Sequence, residues 1–131
     1  MLGAQPPPTA AKRILVVEDN ELNMKLLNDV LEAHGYEVIS TSRGAVAVEW
    51  ARQYHPDLIL MDLQLPDLSG LDATRRIRER PWGRGVAVIA LTGWGQDGDR
   101  ERSREAGCDG HLVKPVDLAD LARALTDLAD G

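Results

Sequence analysis

LILMDLQLPDLSG, Leu58 to Gly70, is the stretch that decides the fold. It opens with four consecutive apolar residues, which suits a strand covered on both faces, since a strand with one wet face would alternate. The run breaks at Asp62, and a helix is expected over Ser69 to Arg80, closed by Pro81. Short apolar runs of the same kind recur on either side. The expected strands are Arg13 to Val17, Glu37 to Ser40, Leu58 to Met61, Val86 to Leu91 and His111 to Val113. ILVV, LILM and VAVIAL are continuous and read as central strands, whereas Glu37 to Ser40 is more polar and reads as an edge.

Longer amphipathic stretches separate these runs, which is the pattern of repeated strand–helix units around a parallel sheet. Leu22, Leu26, Leu27, Val30 and Leu31 recur at helical spacing before Gly35, and Arg43 to Tyr54 forms a second helix ended by Pro56. Asp97 to Ala106 (DGDRERSREA) is almost wholly polar, so the helix expected there has little to anchor it and is expected to be the most mobile. In the last helix Leu118, Leu121, Leu125 and Leu128 form a core stripe behind Asp117 as N-cap.

At 131 residues, 44% hydrophobic and 27% charged, the chain has ordinary globular composition and the size of one domain. Residues Met1 to Ala11 hold Pro6-Pro7-Pro8 and read as a disordered leader, with the folded domain spanning 12–131. A net charge of −6 argues against nucleic-acid binding, which depends on clustered Lys and Arg. Cys108 stands alone, so neither an internal disulfide nor a Cys-based zinc site is available. Neither a signal peptide nor an apolar run near the bilayer-spanning length of about 18 residues is present, so no membrane association and a cytoplasmic location are expected.

In open parallel α/β sheets, ligands bind outside the carboxyl ends of the strands. The first expected strand ends in Glu18-Asp19, the third in Asp62, the fourth in Thr92 and the fifth in Lys114. Three carboxylates brought together repel one another unless a cation neutralises them, and Mg²⁺ suits them: it takes oxygen ligands, keeps several waters and binds through one or two carboxylates plus a phosphoryl oxygen. A backbone carbonyl just past Asp62 adds a further ligand. Asp62, at the end of a rigid strand, suits a carboxylate nucleophile toward phosphorus, with Lys114 neutralising the transferred oxygens and Thr92 hydrogen-bonding them. Those two contacts exist only once the phosphoryl group is attached, which is what a switch requires.

The motifs VVEDN (Val16 to Asn20), LILMDLQLPDLSG (Leu58 to Gly70), ALTG (Ala90 to Gly93) and LVKP (Leu112 to Pro115) together resemble the receiver domain of two-component response regulators, over roughly Lys12 to Leu128. EDNELNMKLLNDVLEAHGYEV is similar to small single-domain regulators of the cell-division type, and ALTGWGQDGDRERSREAGCDGHLVKP is more like receivers attached to hybrid histidine kinases. The resemblance implies a flavodoxin-like (βα)5 three-layer sandwich with parallel sheet order 2-1-3-4-5. It implies Glu18, Asp19 and Asp62 as Mg²⁺ ligands with the Gln64 backbone carbonyl, Asp62 as phosphoacceptor, Thr92 as switch hydroxyl and Lys114 as the site cation. The family's usual aromatic switch position falls on His111, which from the residues alone reads first as a packed, partly buried side chain. A cis Lys114-Pro115 bond is implied, and Trp94 and Gln64 flank the expected site at positions that in the family tune dephosphorylation, with simple loop packing the equal alternative.

The function expected is that of a single-domain response regulator or phosphorelay receiver. Its donor would be a histidine kinase or histidine phosphotransfer protein, and its output, with the chain closing at Gly131, contact with a protein effector or onward phosphotransfer. It would be a monomer or a weak phosphorylation-dependent dimer, and not an enzyme beyond its own phosphorylation and slow dephosphorylation. Partner affinity is expected to change on the face of the fourth helix, the fifth strand and the fifth helix, where Gln96 to Glu105 reads either as a solvated charged face or as part of the contact. The alternatives are a receiver excised from a hybrid histidine kinase and a pseudo-receiver that binds without phosphate. A small Mg²⁺-dependent phosphohydrolase fits poorly, because Gln64 stands where a general acid would be needed and 131 residues leave no room for a cap domain.

Overall fold

A computed structural model describes residues 12–93 and 97–130. The expected leader, Trp94 and Gln96 therefore lie outside the described residues. Five strands, β1 (Arg13–Val17), β2 (Glu37–Thr41), β3 (Leu58–Asp62), β4 (Ala87–Thr92) and β5 (Gly110–Val113), alternate with five helices, α1 (Glu21–Ala33), α2 (Gly44–Tyr54), α3 (Gly70–Arg78), α4 (Asp97–Ala106) and α5 (Leu118–Asp130). All strand pairs are parallel, in the order β2-β1-β3-β4-β5. The fold is the flavodoxin-like sandwich expected, with the polar β2 at an edge and the apolar β1, β3 and β4 inside.

Side chains alternate across a strand, so a continuous apolar run supplies two cores at once. Leu15, Val17, Ile59 and Met61 pack with Ala47 and Ala51 of α2 and Ala73 and Ile77 of α3. Their sequence neighbours Ile14, Val16, Leu58 and Leu60 pack on the opposite face with Leu27 and Leu31 of α1 and Leu121 and Leu125 of α5. Each such fully buried Leu or Ile contributes about 1.5–3 kcal/mol. Among the described residues no helix is long and apolar enough to cross a membrane.

Four expectations need correction. Leu22 and Leu26 do not face the core: they are 67% and 56% exposed, while Leu27 and Leu31 of the same stripe are buried. At about 100° per residue, Leu22 lies about 140° from Leu27 and about 180° from Leu31, and a sheet covers only one side of a helix. Leu118, at the first residue of α5, is likewise exposed. The helix expected over 69–80 is Gly70–Arg78, with Ser69 outside it as N-cap, and a 3-10 turn at Pro81–Gly83 follows. α4 is anchored despite its polarity, since Ser103 and Ala106 are buried. Asp117 caps α5 as expected, its Oδ1 accepting the Ala119 N–H at 2.7 Å.

Candidate functional site

Where β1 ends the chain dives and then turns. Glu18 is fully buried and its backbone N–H donates to the Thr41 carbonyl at 3.1 Å, while Asp19 and Asn20 are exposed. Asn20, not Asp19, caps α1, its Oδ1 accepting the Asn23 N–H at 2.9 Å. Asp62 closes β3 and is 2% exposed. Its Oδ1 accepts the Gln64 N–H at 2.9 Å and its Oδ2 faces the Asp19 N–H at 3.5 Å.

Lys114 enters from the end of β5 through a cis bond to Pro115. Its backbone N–H donates to the Thr92 carbonyl at 2.6 Å. Its ammonium lies 3.1 Å from Asp62 Oδ2 and 3.3 Å from Glu18 Oε1. Burial, and then the charge of Asp62, push the Glu18 carboxyl above its ordinary value against the pull of the Asn20 N–H and Lys114. Two buried carboxylates thus face a single ammonium, which leaves the site short of positive charge.

Thr92 ends β4 one residue beyond Leu91, the register partner of Asp62. It is 3% exposed, and among the described residues its hydroxyl has no hydrogen-bond partner. A buried hydroxyl left without a partner carries a free-energy cost, so its orphan state marks a place where an acceptor is missing.

The structure thus gathers Glu18, Asp62 and Lys114 directly and sets Thr92 on the adjacent strand. Asp19 joins them through its backbone, and among the described residues no three His, Cys, Asp or Glu side chains form a group that could hold a metal ion. A fully coordinating protein cage, as calcium or structural zinc requires, is not built here. Mg²⁺ asks for less, because it keeps waters and binds through one or two carboxylates, and the hard oxygen set of two buried acids and one exposed acid, short of positive charge, fits it.

Two residues that support the site from behind escaped sequence reasoning. Gly70 lies directly behind the end of β3: a Cβ there would stand 2.1 Å from the Asp62 carbonyl oxygen and 2.8 Å from Leu63 Cα. Asp67 spans the loop to α2, its two carboxylate oxygens accepting the N–H groups of Gly44 at 2.8 Å and Ala45 at 3.1 Å. The signal available for Asp67 was Arg43 at the start of α2, a residue without a side-chain acceptor, which leaves that helix needing a cap from elsewhere. His111 sits half-buried on β5, and burial together with Arg100 lowers its imidazole below the ordinary histidine value.

A parallel sheet of this order thus brings a buried glutamate, a strand-end aspartate and a strand-end lysine together at its carboxyl edge. The model of the response regulator receiver domain matches residues 14–126, and the chain belongs to that family. It is 49% identical over 107 residues to the polar-differentiation response regulator DivK of Brucella ovis, covering 82% of this chain and 87% of that protein. The receiver domain of sensor histidine kinase PA1611 from Pseudomonas aeruginosa PAO1, solved with a magnesium ion coordinated in its active-site cleft, superposes with a TM-score of 0.86 at 41% identity, covering 93% of this chain and all of that one. A chain from the co-crystal structure of the Saccharomyces cerevisiae phosphotransfer protein Ypd1 and the receiver domain of its downstream response regulator Ssk1 superposes at 0.84 with 32% identity, covering 92% of this chain and 90% of that one.

Proposed function

We propose that this chain takes a phosphoryl group onto Asp62 from a phosphohistidine on a histidine kinase or histidine phosphotransfer protein, and that the change alters its contact with a protein effector. The observation that carries this is the pairing of a buried, oriented carboxylate with an orphan hydroxyl one residue along the neighbouring strand.

An Asp62 oxygen attacks phosphorus. The bond from phosphorus to the imidazole nitrogen of the donor breaks, the electron pair stays on that nitrogen, and the donor, already protonated on its other ring nitrogen, leaves as neutral histidine. Asp62 becomes an acyl phosphate. The Gln64 N–H on Oδ1 fixes which oxygen is free to turn toward the donor, and Lys114 offsets charge on the transferred oxygens. Thr92 then donates its unused hydroxyl to a phosphoryl oxygen, a contact that exists only in the phosphorylated state. Glu18, Asp19, Asp62 and the Gln64 carbonyl would hold Mg²⁺, which supplies positive charge where phosphoryl oxygens approach carboxylates.

Leu22 and Leu26 on α1 and Leu118 on α5 supply an exposed apolar rim on the two helices that follow Asp19 and Lys114, which suits a docked helical donor. For output, an open groove of about 870 Å³ passes Arg100 of α4, His111 of β5 and Arg123 of α5 and runs on to Ala87, Leu58 and Lys12 at the amino ends of the strands. The chain on this reading is a signalling protein and not a turnover enzyme. Intact mass after incubation with acetyl phosphate and Mg²⁺ tests it: one phosphoryl adduct is expected, lost in Asp62→Asn and under chelation. Failure to gain the adduct, together with failure to form a beryllofluoride complex, would overturn it.

A further inference from the structure

The loop between β3 and α3 carries Gln64, whose N–H orients Asp62, yet its middle is exposed at Gln64, Pro66 and Asp67. At its ends it is tied by Leu63 N–H to the Leu91 carbonyl at 3.1 Å and by Gly70 N–H to the Leu63 carbonyl at 3.2 Å. Between those ties the polar anchor is the Asp67 carboxylate on α2. The helix needs it as much as the loop does. Its first N–H groups have no intrahelical acceptor, and Arg43 at the N-cap offers no side-chain hydrogen bond. Asp67 satisfies Gly44 and Ala45 from 23 and 22 residues away and places its negative charge at the positive end of the helix. Gly44 lets the two segments touch: a Cβ there would already lie 3.1 Å from Leu68 Cβ and from the Leu68 carbonyl oxygen. Leu65 and Leu68 press the same loop onto the core between the sheet and α2 and α3.

The start of α2 is tied on its other side as well. It follows β2, whose last residue, Thr41, accepts the Glu18 N–H at 3.1 Å and receives the Arg43 N–H on its hydroxyl at 3.2 Å. The segment from Thr41 to Ala45 is therefore bonded to the turn that bears Glu18 and Asp19 and to the loop that bears Gln64. Asp67 closes this ring.

We infer that Asp67 is a positioning residue: by clamping the β3–α3 loop to the N-terminus of α2, it sets the Gln64 backbone against the Glu18-Asp19 pair and so tunes the affinity of the site for Mg²⁺. The inference rests on the reading of those residues as the Mg²⁺ site. Among the described residues no hydrogen bond or ion pair joins Asp67 to Asp62 or Lys114, and the Leu63 N–H ties the end of β3 to Leu91 without it, so its loss leaves the strand end that bears Asp62 and the ammonium beside it in place and loosens the span between the two loops.

The test uses the full chain in four forms: wild type, Asp67→Ala, Asp67→Asn and Ile14→Val. The last is a core trim on the far end of β1 that controls for general destabilisation. Mg²⁺ affinity is read by calorimetric titration of the metal alone, and the adduct-forming rate with acetyl phosphate is read at saturating Mg²⁺. Asp67→Ala weakens Mg²⁺ binding by about tenfold, the lower end of what loss of an outer-shell partner costs. Its rate at saturating metal stays near that of wild type. Asp67→Asn, which keeps one acceptor oxygen, falls between the two, and Ile14→Val binds Mg²⁺ as wild type does. Affinity unchanged in Asp67→Ala, or lowered equally in Ile14→Val, overturns the inference. A wild-type chain that binds Mg²⁺ but takes no phosphoryl group overturns the phosphoacceptor reading instead, while the affinity series still decides on Asp67; a wild-type chain that binds no Mg²⁺ overturns both.

Discussion

Lys114 Nζ stands 3.3 Å from Oε1 of Glu18, a carboxylate with no exposed surface. The same ammonium lies 3.1 Å from Asp62, so one cation serves two buried acids. Removing one partner of a buried ion pair leaves the other charge without compensation, which costs about 3–5 kcal/mol. The Lys114 side chain keeps 19% of its surface in solvent, which screens the pair and brings the expected cost of Lys114→Ala to about 2–3 kcal/mol. Urea denaturation in chelator should show that loss, and millimolar Mg²⁺ should recover part of it by supplying the missing charge. A midpoint equal to wild type in chelator would show that the ammonium does not hold the acids.

Mg²⁺ should stabilise the wild-type fold as well, because burial and the charge of Asp62 leave Glu18 reluctant to ionise. A ligand that binds only the folded state adds about 2.7 kcal/mol at a hundredfold excess over its Kd. The melting temperature should therefore rise with millimolar Mg²⁺, and Asp19→Asn should blunt the rise. An undiminished response in that variant removes Asp19 from the metal site.

Most of the fold is legible because each strand of the interior carries its own instruction. In Ile14 to Val17 and Leu58 to Met61 every residue is apolar, and the twofold alternation of side chains sends half to each core without further information. Asp62, Thr92 and Lys114 are legible for a related reason: in a parallel sheet the strand ends share one edge, so order along the chain becomes proximity in space. The stripe on α1 is not legible in the same way. Leu22, Leu26, Leu27, Val30 and Leu31 span about half the helix circumference, and nothing local says which part the sheet covers. Asp67 and Gly70 are hidden for another reason. One caps a helix 22 residues earlier and the other is needed only because α3 starts against the Asp62 carbonyl, and both facts belong to tertiary approach.

Gly70 offers a sharp contrast with Gly85. A methyl group at Gly70 would meet the Asp62 carbonyl oxygen at 2.1 Å, backbone that cannot rotate away, whereas at Gly85 nothing lies within 4 Å. Gly70→Ala should cost about 3 kcal/mol or more, since overpacking against backbone exceeds the usual range for side-chain crowding. On the proposed function it should also abolish the acetyl phosphate adduct, because relief of the clash moves Asp62. Gly85→Ala should change neither stability nor adduct formation. Equal behaviour of the two variants, measured by urea midpoint and intact mass, would show that the close approach is not required.

His111 sets a pH dependence whose sign follows from its surroundings. Burial first, and then the positive charge of Arg100, lower its imidazole below the ordinary value of 6.5. Between the lowered folded value and 6.5 the unfolded chain binds the proton more readily, so stability rises with pH through that window. The neutral imidazole's contribution is complete above 6.5 and is lost as pH falls through the folded value. His34 and His55 are both exposed and remain in any His111 variant, so a difference between variants isolates the one ring. His111→Phe keeps an aromatic ring in the half-buried position on β5 and removes the titration. Urea midpoints of wild type should fall more steeply from pH 7.5 to pH 5.5 than those of His111→Phe, and parallel slopes would mean that His111 carries no proton-linked stability.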